Sequence, residues 1–190
     1  MTSWVIAKQI KQMKRVFLIG YMGSGKTTVG KKLAKSLSLS FIDLDDFIQN
    51  KYRKTIAEIF AELGEEEFRK IESRALREVS EIEDVVISTG GGAPCFFDNM
   101  KIMNNAGITL YIEVVPEELA ARLMASKSVR PLIVGKSKDE LIPFITKHLA
   151  LRERYYRSAQ IIYHSEKMTT KEDIYLTVQE IEDHLKNKLQ

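Results

Sequence analysis

Residues 20–27 constrain the fold of this chain more than any other segment. They have the pattern G-x-x-x-x-G-K-T, follow the apolar run Arg15–Ile19 and precede a helix-like stretch over residues 28–37. A buried strand that turns through glycines into a helix brings backbone N–H groups and the positive helix end to one point. The sequence therefore predicts a phosphate-binding loop at the carboxyl end of the first strand.

The residue types in this loop have physical reasons. Gly20, Gly23 and Gly25 let the chain bend tightly, with no side chain between its backbone and a phosphate. Lys26 adds a mobile positive charge for the β- and γ-phosphates, and the Thr27 hydroxyl suits a magnesium ion. The loop predicts that a nucleoside triphosphate binds with Mg²⁺. The simpler alternative is a glycine-rich turn with a surface lysine.

The composition argues against several classes of function. The 29 Lys plus Arg and 26 Asp plus Glu leave a net charge of +3, which gives no reason to expect nucleic acid. The only cysteine, Cys95, fits a reducing compartment and a packing role. Three histidines without metal-ligand spacing make a zinc site unexpected. Because no apolar stretch approaches the ~20 residues that span a bilayer, we expect a cytoplasmic protein.

Strand-like and helix-like segments alternate along the chain. Strands are predicted at residues 15–19, 40–43, 85–88, 109–113 and 161–163, and helices at 28–37, 47–52, 55–63, 65–82, 116–124, 139–158 and 170–188. Thr169 and Glu172 have capping-box spacing and are expected to begin the last helix. The alternation predicts a parallel sheet with helices on both faces, in one domain over residues 15–190. Residues 1–14 are expected to be a frayed or disordered extension, and residues 125–138 a mobile lid.

Two aspartates follow the second predicted strand, where ligands of parallel sheets collect. Beside a polyphosphate, such carboxylates need a cation or a role in handling a proton. Asp43 could hold the water shell of Mg²⁺, and Asp45 could face an acceptor hydroxyl. The alternative is that Asp45 and Asp46 only favour the start of the next helix, and both interpretations can hold at once.

Three other features are ambiguous by themselves. Arg69 and Glu72 are three residues apart and can touch, although such pairs are usually solvated surface contacts. The glycine triplet at residues 90–92 ends a predicted strand, which fits either close approach of a ligand or a plain loop. Arg130 could reach the phosphates from the predicted lid, or be an exposed loop arginine.

Taken together and in this order, these features resemble the shikimate kinase family over nearly the whole chain from about residue 15. The resemblance is carried by the phosphate loop, D-L-D at 43–45, F-R-K-I-E at 68–72, G-G-G at 90–92, V-R-P-L at 129–132 and L-R-E-R-Y-Y at 151–156. It implies a three-layer α/β/α P-loop kinase fold with a five-stranded parallel sheet of order 2-3-1-4-5 and a mobile lid.

The resemblance also implies an activity. The γ-phosphate of ATP would pass to the 3-hydroxyl of shikimate, giving shikimate 3-phosphate and ADP on the chorismate pathway of aromatic amino acid biosynthesis. ATP and Mg²⁺ would be required, the enzyme would be a monomer, and its partner would be a small molecule rather than nucleic acid or a membrane.

Individual residues receive roles from the same resemblance. The catalytic residues would be Asp45, Lys26 and Arg130, and the nucleotide would be held by Gly23, Ser24, Gly25, Lys26, Thr27, Thr28, Arg122 and Arg130. Shikimate would be held by Asp45, Arg69, Glu72, Gly90, Gly91, Gly92 and Arg152, in a pocket walled by Phe60 and Phe68. Mg²⁺ would be held by Thr27 and, through water, Asp43. Arginine suits a carboxylate because its fork donates two parallel hydrogen bonds.

Two alternative functions are retained. Another small P-loop kinase, acting on gluconate or a nucleotide, would share the loop and the lid, but we do not expect it to combine D-x-D, the glycine triplet and Arg69. A regulatory module that binds a nucleotide without catalysis would need no carboxylate at an acceptor site. The presence of Asp45 therefore argues against a regulatory module. Residues 1–14 and 164–167 depart from the resemblance, which places Arg122 by the adenine but leaves contacts of residues 164–167 to the base unpredicted.

Overall fold

The structure, a computed structural model, describes residues 15–126, 137–165, 168 and 170–188. The predicted extension, most of the predicted lid with Arg130, and residues 166–167 lie outside the described residues. Within the described parts of the chain, no helix is both long and apolar enough to cross a membrane.

Five parallel strands form one sheet in the order β2-β3-β1-β4-β5. They are β1 Arg15–Ile19, β2 Ser40–Asp43, β3 Val85–Ser88, β4 Ile108–Glu113 and β5 Ile161–His164. The central strand pairs on both sides, with Leu18 aligned with Ser88 of β3 and Leu110 of β4. Both β1 and β3 are buried along nearly their whole length, which explains why they read as continuous apolar runs. The predicted strands and their order are confirmed.

Seven helices and a short 3-10 turn connect or follow the strands in the described part of the chain. The helices are α1 Lys26–Leu37, α2 Leu44–Tyr52, α3 Ile56–Val79, α4 Asn99–Ala106, α5 Pro116–Ala125, α6 Lys138–Tyr156 and α7 Lys171–Lys188, and the turn is Ala93–Cys95. Neither α4 nor the turn was predicted. Helix α4 has only eight residues, and its buried apolar residues are Met100 and Met103, too short a stripe to recognise in sequence.

Three predicted helix boundaries are wrong, each for a local reason. Helix α2 begins at Leu44 rather than residue 47, because Asp43 and not Asp45 or Asp46 is its N-cap. The two helices predicted on either side of Gly64 are one kinked helix, with φ 77° and ψ 173° at that glycine. The cap of α7 is one residue later than predicted: Thr170 and Asp173 exchange backbone-to-side-chain hydrogen bonds of 2.8 and 3.1 Å.

Two apolar cores lie on opposite faces of the sheet. Alternate residues of β1 supply each core, with Val16 and Leu18 on one face and Phe17 and Ile19 on the other. Helices α1, α5 and α7 pack on the first face, and α2, α3 and α4 on the second. Helix α6 contributes its first half to the first core and Tyr156 to the second. It therefore passes from one face to the other and brings its last turns near the ends of the strands.

Candidate active site

The turn between β1 and α1 has the geometry of an anion cradle. Gly23 and Gly25 have φ angles of 81° and 91°, which side chains disfavour, and Gly25 is the N-cap of α1. The first turn of α1 contains no acidic residue, so no carboxylate there opposes the positive end of the helix. The loop can therefore present backbone N–H groups and a helix N-terminus to a phosphate.

Lys26 is buried within this loop. Its ammonium donates hydrogen bonds to the carbonyl oxygens of Gly20 at 2.9 Å and Tyr21 at 2.8 Å, and it lies 3.4 Å from the hydroxyl oxygen of Ser24. These contacts hold the positive charge of Lys26 against the loop.

Thr27 and Asp43 are in direct contact. The Thr27 hydroxyl donates to Oδ2 of Asp43 at 2.8 Å, and Oδ1 of Asp43 accepts the backbone N–H of Asp45 at 3.1 Å. The capping role considered for Asp45 therefore belongs to Asp43. A hydroxyl and a carboxylate side by side fit Mg²⁺, which takes hard oxygen ligands and needs few of them from the protein.

A cleft of about 260 Å³ joins the phosphate loop to the two aspartates and the first two glycines of the triplet, whereas Arg69, Glu72 and Arg152 are not among its lining residues. Its walls carry the loop residues Met22, Gly23, Gly25, Lys26, Thr27 and Thr28, the aspartates Asp43 and Asp45, the β3 end Thr89, Gly90 and Gly91, and the α5 side Arg122, Leu123 and Ser126. Arg122 is held there by an ion pair of 2.8 Å with Glu118. The acidic pair and the phosphate loop therefore share one space.

The Arg69–Glu72 pair is not the solvated contact that such spacing usually gives. The side chain of Glu72 is 1% exposed and that of Arg69 is 11% exposed, with 2.9 Å between Nη1 and Oε2. Burial raises the pKa of Glu72 to about 7, although the adjacent Arg69 guanidinium lowers it. The guanidinium also donates to Oε1 of Glu65 at 3.0 Å. Arg69 is thus fixed by two carboxylates.

Aromatic rings surround the same guanidinium. Its central carbon lies 4.4 Å from the ring centroid of Phe96, 5.3 Å from that of Phe68 and 5.7 Å from that of Phe60. Phe60 and Phe68 are in contact with each other, with centroids 4.3 Å apart. The sequence analysis missed Phe96, whose nearness to Arg69 depends on the 3-10 turn before it. The rings restrict the movement of the guanidinium and form an apolar wall beside it.

The glycine triplet lies where these groups converge. A Cβ atom on Gly90 would lie 2.7 Å from Oε1 of Glu72 and 3.0 Å from Oδ1 of Asp45. On Gly92 it would lie 2.6 Å from Nη1 of Arg69. The absence of side chains therefore lets the acidic groups and the arginine approach the backbone, which a plain loop would not require.

Two side chains of α6 contact the carbonyl oxygen of Gly91, the middle glycine of the triplet. The Tyr156 hydroxyl donates to the Gly91 carbonyl oxygen at 2.6 Å, and Nη1 of Arg152 lies 3.5 Å from the same oxygen. Tyr156 is fully buried and stacks on Tyr111 with centroids 4.9 Å apart. Burial raises its pKa, so the hydroxyl remains a donor.

The contact from Tyr156 to Gly91 was missed from the sequence, although a signal was available. Arg152 and Tyr156 are four residues apart on one helix and so share a face.

The chemistry of Cys95 agrees with the packing role expected of it, because burial raises its pKa to about 11 and keeps the thiol protonated. Arg130 lies outside the described residues, and its assignment stays a prediction.

Sequence comparisons agree with this geometry. The family model described as shikimate kinase matches residues 22–182. A shikimate kinase of Parabacteroides distasonis is 57% identical over 163 residues, which are 86% of this chain and 94% of that protein. One of Bacteroides fragilis is 50% identical over 169 residues, covering 89% of this chain and 94% of that protein.

Solved structures give the same result. The crystal structure of shikimate kinase from Bacteroides thetaiotaomicron has a TM-score of 0.88 and 47% identity, and covers 91% of this chain and 98% of that chain. Shikimate kinase from Acinetobacter baumannii in complex with shikimate has a TM-score of 0.82 and 31% identity, covering 97% of this chain and 99% of that chain.

The buried carboxyl of Glu72 generates a prediction for stability against pH. Its pKa is raised from the ordinary 4.5 to about 7, so its stabilising contribution is complete below pH 4.5 and is lost as the pH rises through 7. We expect the unfolding free energy of the wild type to fall relative to Glu72→Gln by on the order of 2 kcal/mol between pH 5 and pH 8. Urea denaturation across this range measures the difference.

The matched control is Glu66→Gln, since the Glu66 side chain is 86% exposed and paired with Lys70 on the same helix. Its pH profile should run parallel to that of the wild type. A parallel profile for Glu72→Gln as well would contradict the raised pKa.

Proposed function

This chain belongs to the shikimate kinase family, and we propose that the cleft described above transfers the γ-phosphate of ATP to the 3-hydroxyl of shikimate. The products are shikimate 3-phosphate and ADP. The observation that carries the proposal is the position of Asp45. Its carboxylate lines the cleft with Lys26 and Thr27, and it approaches Gly90 at the same point as Glu72. A carboxylate placed between a phosphate loop and an arginine pocket suits an acceptor hydroxyl.

On the nucleotide side, we propose that the loop backbone from Gly23 to Thr28 wraps the phosphates and that Lys26 follows the transferred group. Thr27 and, through water, Asp43 would hold Mg²⁺, which neutralises charge on the phosphates. Their hydrogen bond keeps the two oxygens adjacent. Arg122, fixed by Glu118 at the edge of the cleft, would lie beside the adenine.

On the acceptor side, Arg69 and Arg152 would bind the shikimate carboxylate and hydroxyls together with the backbone of the glycine triplet. Glu72 holds Arg69 at 2.9 Å, so the guanidinium is oriented before the acceptor binds. Phe60 and Phe68 supply an apolar wall for the ring of the acceptor. Each arginine offers N–H donors that suit a carboxylate, although the charge of Arg69 is offset by Glu65 and Glu72.

Phosphoryl transfer requires the protein to position ATP and the acceptor rather than to form a covalent bond with either. Phosphoryl transfer is accelerated mainly by alignment and by neutralising charge, which the loop, Lys26 and the metal supply. Asp45 would align the 3-hydroxyl and accept its proton. Arg130, outside the described residues, would reach the phosphates from the lid over residues 125–138 and help to exclude water.

We further propose that residues 15–190 act as one domain and that the enzyme is a cytoplasmic monomer.

An acceptor comparison tests the proposed function. ATP consumption should be measured with shikimate, gluconate, AMP and no added acceptor, each with Mg²⁺ present. We expect turnover with shikimate alone, because its carboxylate and hydroxyls match the arginines and Asp45. Turnover with gluconate or AMP but not with shikimate would overturn the proposal. Omitting Mg²⁺ should abolish turnover with every acceptor.

The role of Asp45 predicts the behaviour of Asp45→Asn. The amide retains the shape of the side chain but cannot accept the proton, so kcat should fall on the order of a hundredfold while ATP still binds. Steady-state kinetics and a nucleotide-binding titration measure the two effects. Asp46→Asn is the matched control, since Asp46 is exposed in the same turn of α2. A kcat near the wild-type value in Asp45→Asn would remove Asp45 from this role.

The hydrogen bond from Tyr156 to Gly91 predicts a positioning effect. Tyr156→Phe should raise the KM for shikimate by about three- to tenfold, as expected for one lost hydrogen bond, with the KM for ATP unchanged. Tyr155→Phe is the control, because the Tyr155 hydroxyl bonds the exposed Arg154. Equal changes in both KM values, or a lower melting temperature with unchanged kinetics, would show a purely structural role.

A further inference from the structure

The guanidinium of Arg152 is held in a different way from that of Arg69. Arg69 pairs with two carboxylates, whereas Arg152 pairs with none in the parts of the chain that the structure describes. Nη1 of Arg152 lies 3.5 Å from the carbonyl oxygen of Gly91, and its central carbon lies 5.4 Å from the ring centroid of Tyr21. Because no ion pair neutralises the charge of Arg152, that charge can act on an anionic ligand.

Tyr21 belongs to the phosphate loop, but its side chain packs in the first core and does not line the cleft. The residue is 1% exposed. Its hydroxyl oxygen lies 3.3 Å from Nδ1 of His148, and the ring of His148 packs on Phe144 with centroids 4.4 Å apart. The Tyr21 ring is therefore fixed by burial and, at its hydroxyl, by a contact with α6.

The face of α6 that contacts Tyr21 also contacts the glycine triplet. His148, Arg152 and Tyr156 lie at four-residue intervals along this helix and so share one face. His148 contacts the Tyr21 hydroxyl, whereas Tyr156 and Arg152 contact the carbonyl oxygen of Gly91. Arg152 accordingly lies between the phosphate loop and the glycine triplet.

Tyr21 contacts the nucleotide side of the site as well. Its backbone carbonyl oxygen accepts a hydrogen bond from the ammonium of Lys26 at 2.8 Å. A single residue thus contacts both the proposed phosphate-binding lysine and the arginine that we propose binds the acceptor. An aromatic ring attracts a guanidinium without neutralising it. A carboxylate in the same place would compete with the ligand for the N–H donors of Arg152.

We propose that Tyr21 is a positioning residue for Arg152. Its ring holds the guanidinium between the phosphate loop and the glycine triplet and leaves the positive charge available to the carboxylate of the acceptor. This inference rests on the proposed function, because it takes Arg152 as a residue that binds shikimate. Loss of the ring should therefore affect the acceptor through Arg152 alone.

The test compares three replacements of Tyr21 in the full chain by steady-state kinetics. Tyr21→Leu and Tyr21→Met remove the ring, and each should raise the KM for shikimate about two- to fivefold, the scale of one cation–π contact. The KM for ATP should stay unchanged, because the carbonyl that accepts Lys26 remains. Tyr21→Phe keeps the ring and loses only the contact with His148, so it should retain the wild-type KM for shikimate.

A double-mutant cycle with Arg152→Ala separates positioning from a general loss of stability. In the Arg152→Ala background, Tyr21→Leu should raise the KM for shikimate no further. Tyr163→Leu is the matched control, since Tyr163 is a buried tyrosine of the same core and its hydroxyl bonds Glu180. This control should lower the melting temperature and leave the KM for shikimate unchanged.

A wild-type KM for shikimate in both Tyr21→Leu and Tyr21→Met, with a raised KM in Arg152→Ala, would overturn this inference and leave the proposed function intact. An equal rise in Tyr21→Phe would assign the effect to the hydroxyl instead of the ring. A further rise on adding Tyr21→Leu to Arg152→Ala would show that the ring acts elsewhere. An unchanged KM in Arg152→Ala itself would contradict the role of Arg152 in the proposed function, and this inference with it.

Discussion

The carboxylate of Glu72 is buried next to the candidate active site, and a buried charge requires a partner. Arg69 supplies that partner, and its own movement is then restricted by Glu65 on one side and the ring of Phe96 on another. The guanidinium that we propose binds the acceptor is therefore fixed by the fold before any ligand arrives. An arginine on a mobile surface would have to lose that freedom on each binding event.

The strand order explains how the two halves of the site meet. Because β1 lies between β3 and β4, the loops that follow β1 and β3 leave the sheet as neighbours. The backbone of Gly91 accordingly passes close to that of Met22 in the phosphate loop. Helix α6 crosses the same edge and adds Arg152 and Tyr156. Groups separated by more than a hundred residues in sequence reach one cleft without a long connecting loop.

Sequence patterns predicted the parts of this protein that depend on local chemistry. The phosphate loop and all five strands follow from glycines and apolar runs, and the resemblance supplied the order of the strands. The cap of α7 was misplaced because Thr169 and Thr170 are adjacent, with acidic residues at both 172 and 173, so two registers are chemically possible. Local pattern alone does not choose between them.

What could not be predicted depends on contacts between distant segments. Spacing shows that Arg69 and Glu72 share a helix face, but not that the glycine loop and Phe96 cover it. Likewise, the contact from Tyr156 to Gly91 joins residues 65 positions apart. Burial of polar groups was the property that local patterns described least well.

The close packing around Gly90 and Gly92 has a genetic consequence. Every single-base change in a glycine codon that replaces the residue introduces a Cβ atom. At these two positions that atom would fall within 3 Å of Glu72 or Arg69. An inhibitor that binds the backbone of this loop would therefore contact a surface that a substitution at either glycine can alter only by displacing Glu72 or Arg69, the side chains that we propose support substrate binding.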